Sequence, residues 1–413
     1  MSRDVLRVAL FPDAYHEVDG VANTSRHFEA FARRQGLPFL TVLGGTQSRT
    51  EPDGSVLRVE LPRGKISFRL DKKHDFDLDF LRHYDEVEGQ VRAFKPDIVH
   101  ITGPSDVGIL GCFIAHRLKI PLAASWHTNL HEYAEQRSRR LFSWIPHVVA
   151  DPVARGIGRA SLACCLRYYH IPQILFAPNQ ELIELLERGT GKPCFLMTRG
   201  VDTTLFDPRH RVRRGGPFLI GYVGRLTAEK NIRWLPEIEK ELLALNCSDF
   251  RFLIVGQGSE EAWLRANMKH ADFAGVLRDQ ALADAYANMD VFVFPSETDT
   301  YGNVVLEAQA SGVPAIVTAR GGPRFIVRAQ DSGLIARTCQ EFAHGIVRLK
   351  NHQGELSRMR AAARAGAFSG SWDQVFADVY RGYERGLAAA AAAGKKIRPR
   401  STTPVMSGPA PVC

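Results

Sequence analysis

An α/β chain with two doubly wound parallel sheets is what three features of the sequence predict. Short apolar runs alternate with helical patterns along nearly the whole chain. The alternation breaks once, at a Gly-, Pro- and Arg-rich stretch over 200–217, and then starts again. At 413 residues with a 45% hydrophobic share, the chain is long and apolar enough for two domains with separate cores.

The first half opens on an apolar strand at 7–11, a loop to Gly20 and a helix over 22–36. Apolar runs at 39–44, 98–102, 122–125, 161–165, 174–177 and 194–197 predict further strands. Helical spacing between them predicts helices over 84–94, 108–118 and 180–188. The second half has strands at 219–223, 252–255, 272–274 and 291–294, and another beginning at 313. Trp372, Val375, Phe376, Val379, Tyr380 and Tyr383 then fall on one face of a helix over 372–387. The domains expected are 1–200 and 201–367, followed by a helix over 368–390. A basic, Ser/Thr/Pro-rich tail over 391–413 has too little apolar surface to order itself.

A net charge of +8 favours an anionic partner. Basic residues concentrate over 63–73 and 137–140, and the second group runs into Leu141, Phe142, Trp144 and Ile145. A basic, aromatic helix there would suit an anionic membrane surface, but with Pro146 keeping it short the first reading is a helix that packs its apolar side inward and leaves its arginines solvated. No apolar run is long enough to cross a bilayer, and the start of the chain has no leader pattern. Seven cysteines, an odd number with no C-x-x-C pair, support neither zinc nor a disulfide framework, and a reducing cytoplasm is expected.

The densest information lies over 291–318, VFVFPSETDTYGNVVLEAQASGVPAIVT. A buried strand is stopped by Pro295, and an acidic turn leads through Gly302 into a helix that Gly312 and Pro314 end. Loops between strand ends and helix starts are where such sheets bind ligands, and a helix N-terminus suits phosphate. Asp299 and Glu307, eight residues apart, could grip hydroxyl groups beside that phosphate. Upstream, a strand runs into Gly224-Arg225-Leu226, with Glu229-Lys230-Asn231 close behind. Gly224 permits backbone approach, and Arg225 and Lys230 supply charge for a pyrophosphate. His127 follows a strand end, on the ligand side of a sheet, where its ring could donate or accept a hydrogen bond. Val255-Gly256-Gln257-Gly258 should line the same sheet end.

The 291–318 segment resembles the donor-binding motif of retaining GT-B glycosyltransferases of family 4. Tyr301, Gly302, Glu307, Ala308, Gly312 and Pro314 match, and Asp299 stands where Glu is commoner. The variant is similar to the subgroup that glycosylates lipids, which includes GDP-mannose-dependent α-mannosyltransferases. Arg199-Gly200-Val201-Asp202 resembles the family's crossover between domains, a hinge and positioning element. Gly321-Gly322-Pro323 matches a family turn, with Arg324 in place of an acidic residue. Asp19-Gly20 stands at the first strand-to-helix turn, where Gly-Gly or Asn-Gly is usual.

The resemblance implies a GT-B fold, two Rossmann-like domains facing a cleft, with the last helix crossing back to the first domain. It implies that His127, Arg225, Lys230 and Asp299 carry the chemistry. The donor would be bound by Gly20, Gly224, Arg225, Lys230, Leu277, Asp299, Tyr301, Gly302, Asn303, Val304 and Glu307, with Glu307 on the ribose. The implied reaction moves a hexose, mannose favoured, from a GDP- or UDP-sugar to a lipid or glycan acceptor with an α-linked product. It needs no cofactor, no metal and no protein nucleophile, and nucleic acid is not an expected partner. The implied location is cytoplasmic, peripheral at the inner face of the membrane. A UDP-sugar 2-epimerase-like enzyme and a nucleotide-sugar-binding protein without turnover are the alternative readings.

Overall fold

The computed structural model describes residues 5–17, 20–64, 67–71, 74–77, 79–142, 144, 147–368 and 370–392. The expectations placed on Asp19, on Pro146, on the tail from 393 and on part of the 63–73 basic stretch lie outside the described residues. Two compact units are formed, Met1–Ser125 with Ile171–Ile174 and Tyr380–Cys413, and Trp126–His170 with Leu175–Val379.

The first unit contains β1 (Val8–Phe11), α1 (Gly20–Arg34), β2 (Phe39–Gly45), β3 (Arg49–Asp53) and β4 (Val56–Pro62). The antiparallel pair β5 (Ser67–Asp71) and β6 (His74–Asp77) follows. Then come α2 (Tyr84–Phe94), β7 (Ile98–Ile101), α3 (Asp106–Leu118) and β8 (Leu122–Ser125). Its strands run in the order β8-β7-β1-β2-β4-β3, parallel except for β3. Every residue of β1, β7 and β8 is buried, because a parallel sheet is covered on both faces and needs continuous apolar strands.

The second unit begins with α4 (Leu130–Leu141), α5 (His147–Tyr169), β9 (Ile174–Ala177, its first residue counted in the first unit), α6 (Gln180–Thr190) and β10 (Cys194–Leu196). It continues through β11 (Phe218–Val223), α7 (Trp234–Ala244), β12 (Phe250–Val255), α8 (Glu261–Asn267) and β13 (Ala271–Gly275). After α9 (Asp279–Asn288), β14 (Val291–Phe294), α10 (Asn303–Ala310), β15 (Ala315–Thr318) and β16 (Gly333–Ala336) come α11 (Cys339–Asn351), α12 (Gln353–Phe368) and α13 (Trp372–Ala392). The six strands from β11 to β16 form a parallel sheet in the order β13-β12-β11-β14-β15-β16. Its first strand is therefore central, the order of a doubly wound nucleotide-binding sheet.

The Arg-rich stretch over 200–217 is pinned down. Asp290 pairs with Arg211 at 2.7 Å, Arg213 at 2.6 Å and Arg360 at 3.0 Å, and Asp207 pairs with Arg364 at 2.9 Å. Helix α13 starts against Gly200, where any side chain would collide with the Trp372 ring. The end of α13 belongs to the first unit. There Tyr380 packs edge-on against Phe28, and Tyr383 hydrogen-bonds His100 Nδ1 in the core. His100 Nε2 meets Ser125 Oγ at 3.0 Å, and burial pushes the ring's pKa down to about 3, so it is neutral.

One expected strand is corrected. Residues 161–165 lie inside the 23-residue helix α5. A five-residue apolar run cannot be told from helix by periodicity alone, and this one, Ser-Leu-Ala-Cys-Cys, lacks β-branched residues. The basic segment over 137–145 also divides: α4 ends at Leu141, and the chain is helical again from His147. Among the described residues no helix is long and apolar enough to cross a membrane.

Candidate active site

From β11 the chain moves to β12 on one side; from β14 it moves to β15 on the other. The crevice outside the carboxyl ends of β11 and β14 is thus the switch point at which such sheets take ligands. Gly224, Arg225 and the helical turn Ala228–Lys230 follow β11, and the acidic loop follows β14. Thr298 Oγ1 donates to the Glu229 carbonyl at 3.0 Å and ties the two loops together. At their junction Lys230 Nζ donates to Asp299 Oδ1 at 2.6 Å. Lys230 is buried, and 21% of the Asp299 side chain is exposed. Burial alone would push the Asp299 carboxyl up. The Lys230 ammonium beside it counters that and the carboxyl is held below the usual carboxylate range, so Asp299 is ionised at neutral pH. Among the described residues the second oxygen, Oδ2, has no hydrogen-bond partner. Arg225 is different, with 46% of its side chain exposed and Glu229 4.0 Å away. Close backbone approach is built in here, since a side chain on Gly256 would collide with the Gly224 carbonyl.

Gly302 enters α10 at φ +103, which favours glycine, and lies against Pro323. Among the described residues no side chain caps the helix, so the Asn303 and Val304 amides have no intrahelical partner, and with the helix dipole behind them they would favour negative charge. Glu307 sits in the second turn and accepts a hydrogen bond from Tyr286 at 2.9 Å. Burial pushes its carboxyl up to about 7, with the Tyr286 hydrogen bond opposing.

His127 meets this loop from another part of the same unit. It is 7% exposed, and its Nδ1 accepts from Arg199 Nη2. Thr300 Oγ1 donates to the His127 carbonyl at 2.8 Å, and Asn179 Nδ2 donates to the Thr300 carbonyl at 2.8 Å. The Tyr301 hydroxyl lies 3.5 Å from the Arg199 carbonyl. The structure therefore brings Lys230, Asp299, Tyr301 and His127 around one loop, with Arg225, Gly224, Gly302, Asn303, Val304 and Glu307 on the elements beside it. Leu277 follows β13 and packs on the second unit's core. Gly20 is the exposed first residue of α1 in the first unit. Arg324 is committed to an ion pair with Glu181 at 2.8 Å and to the Ala319 carbonyl at 2.9 Å.

Sequence reasoning left three contributors out of the site: Arg199, Asn179 and Tyr286. Asn179 could have been found as an N-cap, since its side chain accepts from the Leu182 amide at the start of α6. Arg199 was visible only as the residue before Gly-Val-Asp. Nothing local marks Tyr286, an apolar-face residue of α9 whose hydroxyl finds Glu307 only on folding.

A family model described as "Glycosyl transferases group 1" matches residues 217–352, and one described as "Glycosyl transferase 4-like domain" matches residues 12–158. The chain is a glycosyltransferase, with a group 1 glycosyltransferase domain and a glycosyl transferase 4-like domain. A GDP-mannose-dependent alpha-mannosyltransferase of Mycolicibacterium smegmatis is 29% identical to this glycosyltransferase over 394 residues, covering 92% of this chain and 97% of the relative. Among solved structures, sucrose-phosphate synthase from Thermosynechococcus elongatus superposes with a TM-score of 0.68 at 17% identity, over 93% of this chain and 100% of that one. The Anabaena protein HepE, solved in complex with UDP and glucose, reaches 0.64 at 15% identity over 92% and 99%. The two structures share the GT-B fold with the glycosyltransferase described here.

Proposed function

We propose that the enzyme is a retaining mannosyltransferase, moving mannose from GDP-mannose to a lipid or glycan acceptor with an α-linked product. The observation that carries this is the Lys230–Asp299 pair at the β11–β14 switch point, with Arg225 in the loop after β11 and Glu307 on α10. Lys230 and Arg225 take the donor pyrophosphate, Asp299 accepts from hydroxyls of the transferred sugar, and Glu307 accepts from the ribose. The name of the M. smegmatis relative supports mannose and GDP. In the reaction the bond from the sugar C1 to the phosphate oxygen breaks, and the acceptor oxygen bonds C1 on the same face. The acceptor's proton passes to the departing phosphate, whose growing charge the two cations stabilise. Incubating the enzyme with GDP-mannose, UDP-glucose and ADP-glucose, each against lipid and sugar acceptors, tests the reading. NMR of the product gives the anomer. A β-linked product, or transfer from every donor except GDP-mannose, would overturn it.

Two further outcomes are expected. Arg225→Ala should lower kcat about 10- to 100-fold and leave thermal unfolding nearly unchanged, because 46% of this side chain reaches solvent. An unchanged kcat at saturating donor would remove Arg225 from the phosphate. Transfer should also persist in excess chelator, since two cations already face the phosphates. Loss of activity that magnesium or manganese restores would show the phosphate chemistry to be metal-based.

Work at the cytoplasmic face of an anionic membrane suits the exposed Leu141, Trp144 and Val148 and the exposed Arg137, Arg155 and Arg159 around them. Flotation with anionic but not zwitterionic vesicles is the expected measurement; no flotation with either would count against it.

A further inference from the structure

We infer that Arg199 is a positioning residue for His127, its guanidinium fixing which ring nitrogen carries the hydrogen. The inference rests on the proposed placement of His127 beside the transferred sugar. Arg199 is buried, 4% exposed, and its Nη2 meets His127 Nδ1. A guanidinium can only donate, so Nδ1 must accept and carries no hydrogen. The neutral ring then holds its hydrogen on Nε2, and an imidazolium would set one donor against another. His127 is therefore a fixed donor from Nε2, suited to a sugar oxygen. Burial pushes the Arg199 pKa down only to about 10, so the guanidinium stays charged at neutral pH.

The pair is also held in register with the acidic loop. The two residues after Asp299 bond its backbone, Thr300 to the His127 carbonyl at 2.8 Å and Tyr301 to the Arg199 carbonyl at 3.5 Å. These contacts use main-chain atoms of His127 and Arg199, so shortening or neutralising the Arg199 side chain leaves them possible. What such a change removes is the bond to the ring.

The test is kcat at saturating donor across about pH 5.5 to 8.5, a range that spans the ordinary histidine pKa. Arg199→Met, Arg199→Lys, His127→Ala and the His127→Ala/Arg199→Met double variant are compared with wild type. Arg199→Met should lose about tenfold near pH 8, one neutral hydrogen bond's worth. The deficit should shrink towards pH 6, where an imidazolium carries hydrogen on both nitrogens. Arg199→Lys should recover part of the loss. On the His127→Ala background, Arg199→Met should change kcat by about twofold or less. Equal losses with and without the His127 ring, or a deficit independent of pH, would overturn the inference, since a merely structural Arg199 predicts both. Nitrogen NMR of the imidazoles, with His127 assigned by its loss in His127→Ala, reads the tautomer without turnover. Hydrogen on Nε2 is expected in the native protein, and hydrogen on Nδ1 would overturn the inference. Full kcat in His127→Ala would instead remove the sugar-facing role of His127 and leave the tautomer result standing.

Discussion

Lys230→Ala is expected to abolish nearly all turnover and also to weaken the fold. Removing a charge-assisted contact to a phosphate on which charge develops costs on the order of 2–4 kcal/mol of barrier, or about 10²–10³ in kcat. The stability loss has a separate cause. Lys230 is buried and holds Asp299 at 2.6 Å, so deleting it strands a mostly buried carboxylate. Breaking such a pair costs about 3 kcal/mol, the low end for fully buried ions because 21% of Asp299 is exposed. The two losses separate in Lys230→Ala/Asp299→Asn, which removes the stranded charge. Urea unfolding should show most of the stability returning in the double variant while kcat stays low. Near-wild-type kcat in Lys230→Ala at saturating donor would sink the phosphate role. A stability loss that Asp299→Asn fails to relieve would show that the pair is not what Lys230 supports.

Glu307→Gln should act on donor binding. The carboxylate is proposed to accept from two ribose hydroxyls, and a hydrogen bond to a charged group is worth about 1.5–3 kcal/mol. The donor KM should therefore rise roughly 10- to 150-fold. kcat should change little, because ribose is remote from the bond being broken. The pH dependence carries a sign. Burial pushes the Glu307 carboxyl up to about 7, and only the ionised form accepts from both hydroxyls. A proton thus competes with donor below that pH, and kcat/KM for donor should fall on acidification through about 7. Glu307→Gln should lack that limb, while Tyr286→Phe should move it upward by removing the hydrogen bond that opposes the shift. Measuring donor kcat/KM against pH for the three proteins decides it. A limb unchanged in Glu307→Gln would mean that another group titrates there.

Read locally, the sequence determined much of this enzyme: the strand-and-helix alternation, the Gly turns at strand ends, and the acidic loop leading into α10. These follow from periodicity and turn chemistry, properties of neighbours in the chain. Arg225, Lys230, Asp299 and Glu307 stood out because their spacing belongs to one strand-loop-helix unit each. Tertiary structure decided how those groups are used. Lys230 and Asp299 lie 69 residues apart, His127 and Arg199 72 apart, and Thr300 bonds the His127 carbonyl across 173. A polar group that folding removes from water must find a partner, and that partner is whichever group the packing sets beside it. For that reason Asp299 is charged, with a lysine packed against it, while Glu307, an acidic residue of the same motif, is brought close to titrating by burial that a tyrosine hydroxyl only partly offsets.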